Sequence, residues 1–547
     1  MPVCKVSGEE FEYSALEQRI RDKLTVPMPT ISPKSAFQHL GAFWQHFALH
    51  KRKSDFSQEE IISVFDEHCP YPVWHRDEWV KNANPSFAGY NFDKPFFDQL
   101  WELFQKCPMP HMIGGGNENC EYTDDWWHSK NCYLCHSGVD NEDLYYCYRV
   151  GRCRSSLFAV FCFDCELCTD LVSCDNCYNV TYAINSAYCR DSYFLFDCRN
   201  CSDCLFCFNL RNKQYCIGNK QLTREEFETE KAKYNFSSFK HYEKAKEEFA
   251  QTITTQAWWR TLQVNKCENV TGNYLQNDKN MDNCFFLEES EDCANYFRGY
   301  KLKDVSSSVG CFNIELAVGS VLTQDGSYDA RFCFNVINSR FMEYSMNCLN
   351  CEHCFACSGL VGKKYHILNK EYSPEEYGTI KEKIVQQLRD QDIYGDFFPG
   401  HFAPCSYEES LAQVYWPLSH EEQKQKGLRV KADTNYPVHE YLTRDDIPDD
   451  SLSANDNICK KAFWDETAKK PFTILKSDLE FCQRQKIPLP HGYYVPRIKE
   501  NFAWLFFDGA LRETTCAKTG KRVLTTLPAK LDGRILSEEA YLETIVG

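Results

Sequence analysis

The sequence predicts a mainly β protein with helical flanks, an α+β multidomain chain with two duplicated Cys-rich parallel β-solenoids at its centre. Cys198–Lys220 and Cys348–Lys370 align without a gap, 150 residues apart. Each has four cysteines at three-residue spacing, followed by Tyr-x-Ile-x-Asn-Lys. A helix start follows each segment. Short β-branched and aromatic runs, separated by Asp, Asn, Ser and Cys, recur about every 10–12 residues without intervening helices, which is typical of stacked coils.

The solenoid prediction determines where the cysteines should lie. Equivalent positions of successive coils stack about 4.8 Å apart, and small side chains suit a narrow interior. Asn and Asp are expected at the corners, because they tolerate turn conformations. Within each strand, the sequence predicts side chains that point alternately into and out of the coil. Antiparallel meanders are the alternative that the pattern leaves open.

Helices are expected after each solenoid and in the flanks. Thr223 with Glu226, and Ser373 with Glu376, have capping-box spacing, which marks a helix start. In the flanks, 32–51, 57–68, 93–106 and 417–427 have helical patterns, with Asp93 as the expected cap of the third. Asp446–Asp456 has the composition of a linker.

The composition and the hydropathy pattern indicate the cellular compartment. The 547 residues include 32 cysteines, 16 of them between Cys120 and Cys216 and nine between Cys267 and Cys357. The first residues have no signal-peptide pattern, and no stretch has the ~18–20 apolar residues of a membrane span. We therefore expect a cytoplasmic protein with reduced thiols and no membrane partner.

The net charge of −17 is concentrated in the two central blocks. Residues 117–210 have 14 acidic and 6 basic side chains, and residues 267–360 have 13 and 6. Phosphate would be repelled, so we expect no direct nucleic-acid binding by the solenoids. The expected partner is a protein, and the charge favours a basic one.

The two ends of the chain resemble each other. Phe11–Pro29 and Phe472–Pro490 each read Phe, fourteen residues, then a (Val/Ile)-Pro-x-Pro motif. This resembles the linker between the two knuckles of a bacterial zinc ribbon. In that comparison the ligand positions near the N-terminus are Cys4, Ser7, Ser32 and Ser35, three of them serine. The later module places its second pair near Tyr493 and Pro496, and Cys516-x-x-Thr519-Gly520 resembles another first knuckle. A structural zinc needs four N or S ligands, so the resemblance implies degenerate zinc-ribbon-like modules without metal.

As a whole the chain resembles a group of uncharacterised bacterial proteins. They combine zinc-ribbon-like ends with Cys-rich repeats of the form CxxCxxCxxC…NKxYCIxNK. The departures here are the missing ribbon cysteines and His366, which stands where the first repeat has Cys216. The resemblance implies an architecture and no activity.

The expected division has seven parts. They are a zinc-ribbon-like module (1–35), a helical region (36–114), the first solenoid (115–221), a helical connector (222–261), the second solenoid (262–371), a helical and mixed region (372–450) and terminal ribbon-like modules (455–547).

The clustered thiols have three interpretations. They are packing residues, metal ligands or disulfides, and the regular spacing of three favours packing, because it follows the coil rather than a ligand set. No cofactor is expected; zinc or iron is the alternative. The candidate ligands are Cys198, Cys201, Cys204, Cys207, Cys348, Cys351, Cys354 and Cys357.

No catalytic motif is present in the sequence. The leading hypothesis is therefore a non-enzymatic scaffold that presents two rigid acidic solenoids to a protein partner. The alternatives are a metal-binding or redox-responsive protein that uses the thiols, and an acidic solenoid that mimics duplex DNA. A β-helix carbohydrate enzyme is a fourth hypothesis, disfavoured by the missing export signal.

Overall fold

The architecture was derived from a computed structural model of the chain. It describes residues 1–44, 47–162, 169–172, 178–288, 290–294, 305–310, 314–321, 327–334, 336–432 and 441–546. The protein is mainly β, with a β-solenoid of about 17 turns and helical flanks.

The strands are β1 (His50–Lys53), β2 (Glu60–Ser63), β3 (Val73–Trp74), β4 (Met109–Pro110), β5 (Gly114–Gly115), β6 (Asp124–Trp127), β7 (His136–Val139), β8 (Tyr148–Gly151), β9 (Thr169–Val172), β10 (Tyr178–Ile184), β11 (Arg190–Phe196), β12 (Ser202–Phe208), β13 (Gln214–Ile217), β14 (Lys220–Gln221), β15 (Trp259–Arg260), β16 (Val264–Asn265), β17 (Glu268–Gln276), β18 (Lys279–Glu288), β19 (Glu291–Ala294), β20 (Ile314–Glu315), β21 (Ser327–Tyr328), β22 (Val336–Ile337), β23 (Arg340–Glu343), β24 (Cys348–Leu349), β25 (Glu352–Phe355), β26 (Lys364–Ile367), β27 (Lys370–Glu371), β28 (Ala462–Asp465), β29 (Lys470–Thr473), β30 (Arg512–Thr515), β31 (Arg522–Thr525) and β32 (Ile535–Leu536).

The α-helices are α1 (Ala15–Leu24), α2 (Pro33–Gly41), α3 (Arg76–Asn82), α4 (Phe96–Phe104), α5 (Arg224–Lys231), α6 (Phe239–Thr255), α7 (Pro374–Asp390), α8 (Ala412–Tyr415), α9 (His420–Gln425), α10 (Lys476–Gln485), α11 (Tyr494–Phe502) and α12 (Glu538–Tyr541). Of the short 3-10 turns, Ser451–Ser453 lies within the segment expected to be a linker, and Arg444–Asp446 and Asp456–Lys460 overlap its two ends.

The solenoid coils are parallel and mostly twelve residues long. In the first stretch of coils, which begins at β5 and ends at β13, Gly114 pairs with Trp126 and Trp126 with Gly138. Further along, Tyr178 pairs with Arg190 and Arg190 with Ser202. In the second, Arg340 pairs with Glu352 and Glu352 with Lys364. Parallel pairing, and not the antiparallel meander, is therefore the arrangement of the described coils.

Side chains inside a coil repeat every three residues, which corrects the expected alternation. One residue faces the interior, the next pairs with the neighbouring coil, and the third has a left-handed backbone. In Cys198–Asn200 the thiol is buried, Arg199 forms the bridge to Ala187, and Asn200 has φ 54°. Asn and Asp occupy many of these left-handed positions, which they tolerate better than other non-glycine residues. Four such corners close one coil of twelve residues, so every third residue faces inward.

One coil of the second stretch is a residue shorter. The register between β17 and β18 shifts between Val270 and Gly272. Gly272 has φ 139°, and a Cβ there would collide with the backbone carbonyl of Cys284. Only glycine fits at this close approach of two coils.

A short antiparallel strand and a helix follow each stretch. β14 pairs with β13, and β27 pairs with β26. The expected helices are present as α5 and α7, with the Thr223 and Ser373 capping boxes in place.

Other sequence expectations need correction. Residues 57–68 are not helical, because β2 lies there and pairs with β1 as a hairpin. The helix expected over 32–51 is α2, which ends at Gly41. α4 begins after Pro95 without a side-chain cap, so Asp93 does not cap it. The short helix in 417–427 is confirmed as α9.

The described part of the flanks contains four small modules. We name them A (1–41), B (50–82), C (462–502) and D (512–546). α1 and α10 each have ten residues, and α2 and α11 each have nine, at the same spacing within A and C. The hairpins β1–β2 and β30–β31 have matching lengths and matching distances to β3 and β32 in B and D.

The modules dock onto the solenoid in a crossed arrangement. Module A packs on the second stretch, where Phe37 contacts Phe285, and module C packs on the first, where Phe502 contacts Tyr148. Module B instead adds β3 to β4 before the first stretch, and module D adds β32 to β15 before the second.

Candidate functional site

The eight candidate cysteines form two complete solenoid coils. Cys198, Cys201, Cys204 and Cys207 take the four inward positions of one coil, and the other four take those of another. All eight are buried, with at most 2% of any residue exposed. They face the interior, as the spacing indicates.

Each of these thiols has a backbone partner. Cys204 Sγ donates to the Ser202 carbonyl at 3.2 Å, and Cys207 Sγ donates to that of Leu205 at the same distance. The carbonyl two residues earlier accepts in the second coil too, as for Cys357 and Phe355 at 3.3 Å. The coil geometry thus satisfies the buried thiols of both of these coils.

The thiols of one coil also interact with each other. A hydrogen bond from Cys348, followed by one from Cys354, lowers the pKa of Cys351 to about 4, although burial opposes this. The pKa of Cys201 is lowered in the same way, first by Cys189 and then by Cys198. Burial raises the pKa of Cys198 and Cys348. The second cysteine of each coil therefore has a lowered pKa.

The described residues contain no group of three or more His, Cys, Asp or Glu side chains arranged to hold a metal ion. Each described cysteine is a free thiol. His366, which stands where the first repeat has Cys216, is held by the Lys364 carbonyl, 2.7 Å from its Nδ1.

The four ligand positions expected in module A do come together. Cys4 Sγ accepts hydrogen bonds from the backbone amides of Ser7 at 3.5 Å and Ser32 at 3.2 Å. The Ser35 hydroxyl lies 3.4 Å from the same sulfur. Burial would raise the pKa of Cys4, but these hydrogen bonds outweigh it and lower the pKa to about 6. One sulfur thus joins the two knuckles.

Module C does the same with a carboxylate. Asp465 Oδ1 accepts from the amides of Thr467 and Ala468 at 2.7 and 2.8 Å, and Oδ2 accepts from Tyr493 at 2.6 Å. Tyr493 and Pro496 lie at the expected second pair, but neither side chain is a metal ligand. The sequence comparison did not identify Asp465.

Module B is not predicted from the sequence. Its positions that correspond to Cys4, Ser7, Ser32 and Ser35 are Ser54, Ser57, His75 and Glu78. Glu78 Oε2 accepts from the Ser54 hydroxyl at 2.6 Å and from the His75 amide at 3.1 Å. The signal that could have found it is Pro70-x-Pro72-x-x-His75, which has the spacing of Pro27-x-Pro29-x-x-Ser32.

Module D repeats the first knuckle around Cys516. The Cys516 amide donates to Lys521 at 2.8 Å, as the Cys4 amide does to Glu9 at 2.9 Å. Burial would raise the pKa of Cys516, but hydrogen bonds from the Ser537 amide and the Thr519 hydroxyl lower it to about 6. In each of the modules A to D one acceptor side chain therefore joins two turns that are distant in sequence.

The outward-facing side of the coils carries alternating charges. Lys130 Nζ lies 3.1 Å from Glu118, one coil away, and Arg154 lies 3.5 Å from Glu142. In the second stretch Lys364 Nζ lies 2.6 Å from Glu352. We call this surface the ladder face. Its pairing differs from the uniform negative stripe that a DNA mimic would need.

An aromatic cavity of about 190 Å³ lies between the first stretch and module C. Asp478 lines it and is fully buried. Burial raises the pKa of this carboxyl to about 6. The remaining lining residues are Tyr133, Leu134, Tyr146, Phe158, Pro471, Phe472, Thr473, Leu475, Pro490, Gly492, Tyr493 and Tyr494.

No protein-family model matches the chain, and neither a curated protein nor a solved structure matches it. Among the described residues no helix has the length and apolar character needed to cross a membrane.

Proposed function

We propose that the protein is a non-enzymatic scaffold that presents the ladder face to a protein partner. The observation that carries this proposal is that the two sides of the coils differ. One side is covered by α6 and the terminal modules, whereas charged side chains such as Lys130 and Arg154 remain exposed on the other. A surface repeated every coil, with few movable elements, suits recognition rather than catalysis.

The proposal includes the origin of the architecture. We take the stretches 115–221 and 262–371 as duplicated solenoids, and modules A to D as zinc-ribbon-like folds whose metal has been replaced by hydrogen bonds. The support is the matching lengths of α1 and α10 and of α2 and α11, and the acceptor side chain at the centre of every knuckle pair. Metal analysis of the purified protein, with melting measured with and without EDTA, tests it. Zinc that stabilises any module would contradict it.

Partner capture tests the scaffold. The tagged full chain is compared with the variant Lys130→Glu/Lys364→Glu, which places like charges one coil apart on the ladder face. Lys240→Glu/Lys244→Glu, at exposed positions of α6, is a control of equal charge change. We expect a protein captured by the wild type and the control to be lost with the ladder variant, and to be released by salt because exposed charges are screened. Equal capture by all three chains would contradict the proposal.

A metal-binding or redox role of the thiols is a second candidate. The observation that favours it is the lowered pKa of Cys351, because the thiolate is the form that binds metals and reacts. Thiol titration distinguishes thiols that only pack in the interior from thiols that bind a metal. Thiols that react only after denaturation support packing, whereas co-release of zinc or iron supports a site.

A further inference from the structure

The cavity between the first solenoid stretch and module C has aromatic walls. Tyr146 stacks on Phe158 with ring centroids 4.9 Å apart, and Tyr494 lies 5.7 Å from Tyr146. Tyr493 continues the wall, 4.7 Å from Tyr494. Thr473, at the border of the cavity, is exposed. Aromatic rings attract cations that lie over their faces.

The cavity also contains the buried carboxylate of Asp478. Asp478 Oδ2 accepts hydrogen bonds from the Tyr146 hydroxyl at 2.8 Å and from the Leu475 amide at 2.9 Å. Oδ1 is buried and has no hydrogen-bond partner in the described part of the chain. A buried carboxylate without a partner is costly, and its usual partner is a cation.

Module A shows what occupies the corresponding place. Glu17 has the position in α1 that Asp478 has in α10, and it too faces the solenoid, where Ser306 Oγ donates to it at 2.8 Å. One turn later, Arg21 Nε donates to Glu17 at 3.2 Å, and Arg21 Nη1 donates to the Pro27 carbonyl at 2.6 Å. The chain thus supplies its own guanidinium in module A.

In module C the residue that corresponds to Arg21 is Cys482, a short uncharged side chain. The carboxylate remains, but the cation does not, and a cavity opens beside it. Arg497 stacks on the far neighbour Phe158, 3.9 Å from the ring, and lowers the pKa of Asp478 through space, yet Oδ1 stays unpaired.

We propose that this cavity binds the side chain of an arginine from a partner protein, with Asp478 as the acceptor of its guanidinium and the tyrosines as its walls. A planar guanidinium stacks on aromatic rings and bonds a carboxylate with a fork of donors, which a lysine ammonium does not. The inference rests on the proposed function as an interaction protein, and names the chemistry of one contact.

The ionisable groups around Asp478 set the pH range of binding. Tyr133, Tyr145 and Tyr146 face it from the solenoid, Arg497 faces it from α11, and Cys459 lies nearby. Since the pKa values of these tyrosines and of Cys459 are raised, the carboxyl of Asp478 is the group among them that changes charge near pH 6. Arginine binding should therefore weaken as the pH falls below about 6.

Titration calorimetry on the full chain provides the test. The probes are a peptide with one central arginine and the same peptide with citrulline, which has the same shape without the charge. We expect saturable binding of the arginine peptide and at least tenfold weaker binding of the citrulline peptide. No binding of the arginine peptide, or equal binding of the two, overturns the proposal.

Three variants sharpen it. Asp478→Asn keeps the hydrogen bonds to Tyr146 and Leu475 and should lose at least tenfold in affinity. Cys482→Arg should place a guanidinium in the cavity as in module A, and abolish binding while raising the melting temperature. Glu480→Gln, exposed on the same helix, should bind like the wild type. Unchanged affinity of Asp478→Asn contradicts the site. The ladder variant should still bind the peptide, so failure of the scaffold proposal is distinguishable from failure of this one.

Discussion

Modules A and C have the same backbone plan and differ in how they satisfy buried polar groups. Module A uses Cys4 at its knuckles and closes Glu17 with Arg21. Module C uses Asp465 at the corresponding place, and Asp478 Oδ1 has no hydrogen-bond partner among the described residues. The comparison teaches that the fold needs an acceptor between the knuckles but does not prescribe which one. It also shows that a single residue, Arg21 in module A or Cys482 in module C, decides whether the buried carboxylate in the first turn of the helix has a guanidinium partner on the same helix.

The largest expected effect on the free energy of unfolding comes from breaking the ion pair between Glu17 and Arg21. Arg21→Met should destabilise the protein by about 3–5 kcal/mol, because it leaves Glu17 buried without its cation. Arg19→Met, exposed on the same helix, should stay within about 0.5 kcal/mol. Denaturant unfolding measures both. Equal losses would show that the pair is not what stabilises α1.

The second largest effect on stability is expected at the acceptor side chains Asp465 and Cys4. Asp465→Ala removes the acceptor of three backbone amides and should cost about 2–3 kcal/mol. Cys4→Ala removes a weaker sulfur acceptor of two amides and should cost about 1–2 kcal/mol. If the free energy of unfolding changes equally in the two variants, the carboxylate is no better an acceptor at this place than the sulfur.

Solenoid thiols provide a third comparison, with cysteines outside the modules. Cys201→Ala and Cys351→Ala should each cost about 1–2 kcal/mol, as for loss of a small buried group. Cys→Ser at these positions should cost at least as much unless the hydroxyl finds the carbonyl that the thiol uses. A change much larger than this in either variant would indicate a role beyond packing.

The smallest effect is on pH dependence. Burial raises the pKa of Asp478 to about 6, above the usual value near 4. The folded protein therefore holds this proton more tightly than the unfolded chain, and the resulting stability is present below about pH 4 and lost as the pH rises through 6. Urea unfolding of wild type and Asp478→Asn between pH 4 and 7 should show wild type losing its relative stability across this window. Parallel pH profiles would contradict the raised pKa.

Much of the central architecture follows from local patterns. Four cysteines at three-residue spacing, repeated 150 residues later, indicate a coil, because only a short periodic backbone brings such positions to one interior. The helix starts at Thr223 and Ser373 were predictable since a capping box depends on four consecutive residues. The convergence of Cys4, Ser7, Ser32 and Ser35 was also predictable, from motif spacing.

Other features depended on contacts between distant parts of the chain. The period of three replaced the expected period of two because each coil closes through four left-handed corners, a property of stacked coils rather than of one strand. β2 was misread as a helix because the pattern of 57–68 allows both, and pairing with β1 decides between them.

By itself, the sequence of this protein determined the repeated coils, their inward thiols and the helices that follow each stretch, because these arise from repeats and caps within a few residues, and it favoured parallel pairing over the antiparallel meander. Only the tertiary structure decided how charges are distributed and where a cavity lies. The acids that make the blocks negative are partly paired across coils, as Glu118 is with Lys130. Asp478 meets Tyr146 only because module C folds back over the first stretch, across 332 residues. Burial and partnership of a charge are set by what the fold brings next to it, which local pattern does not encode.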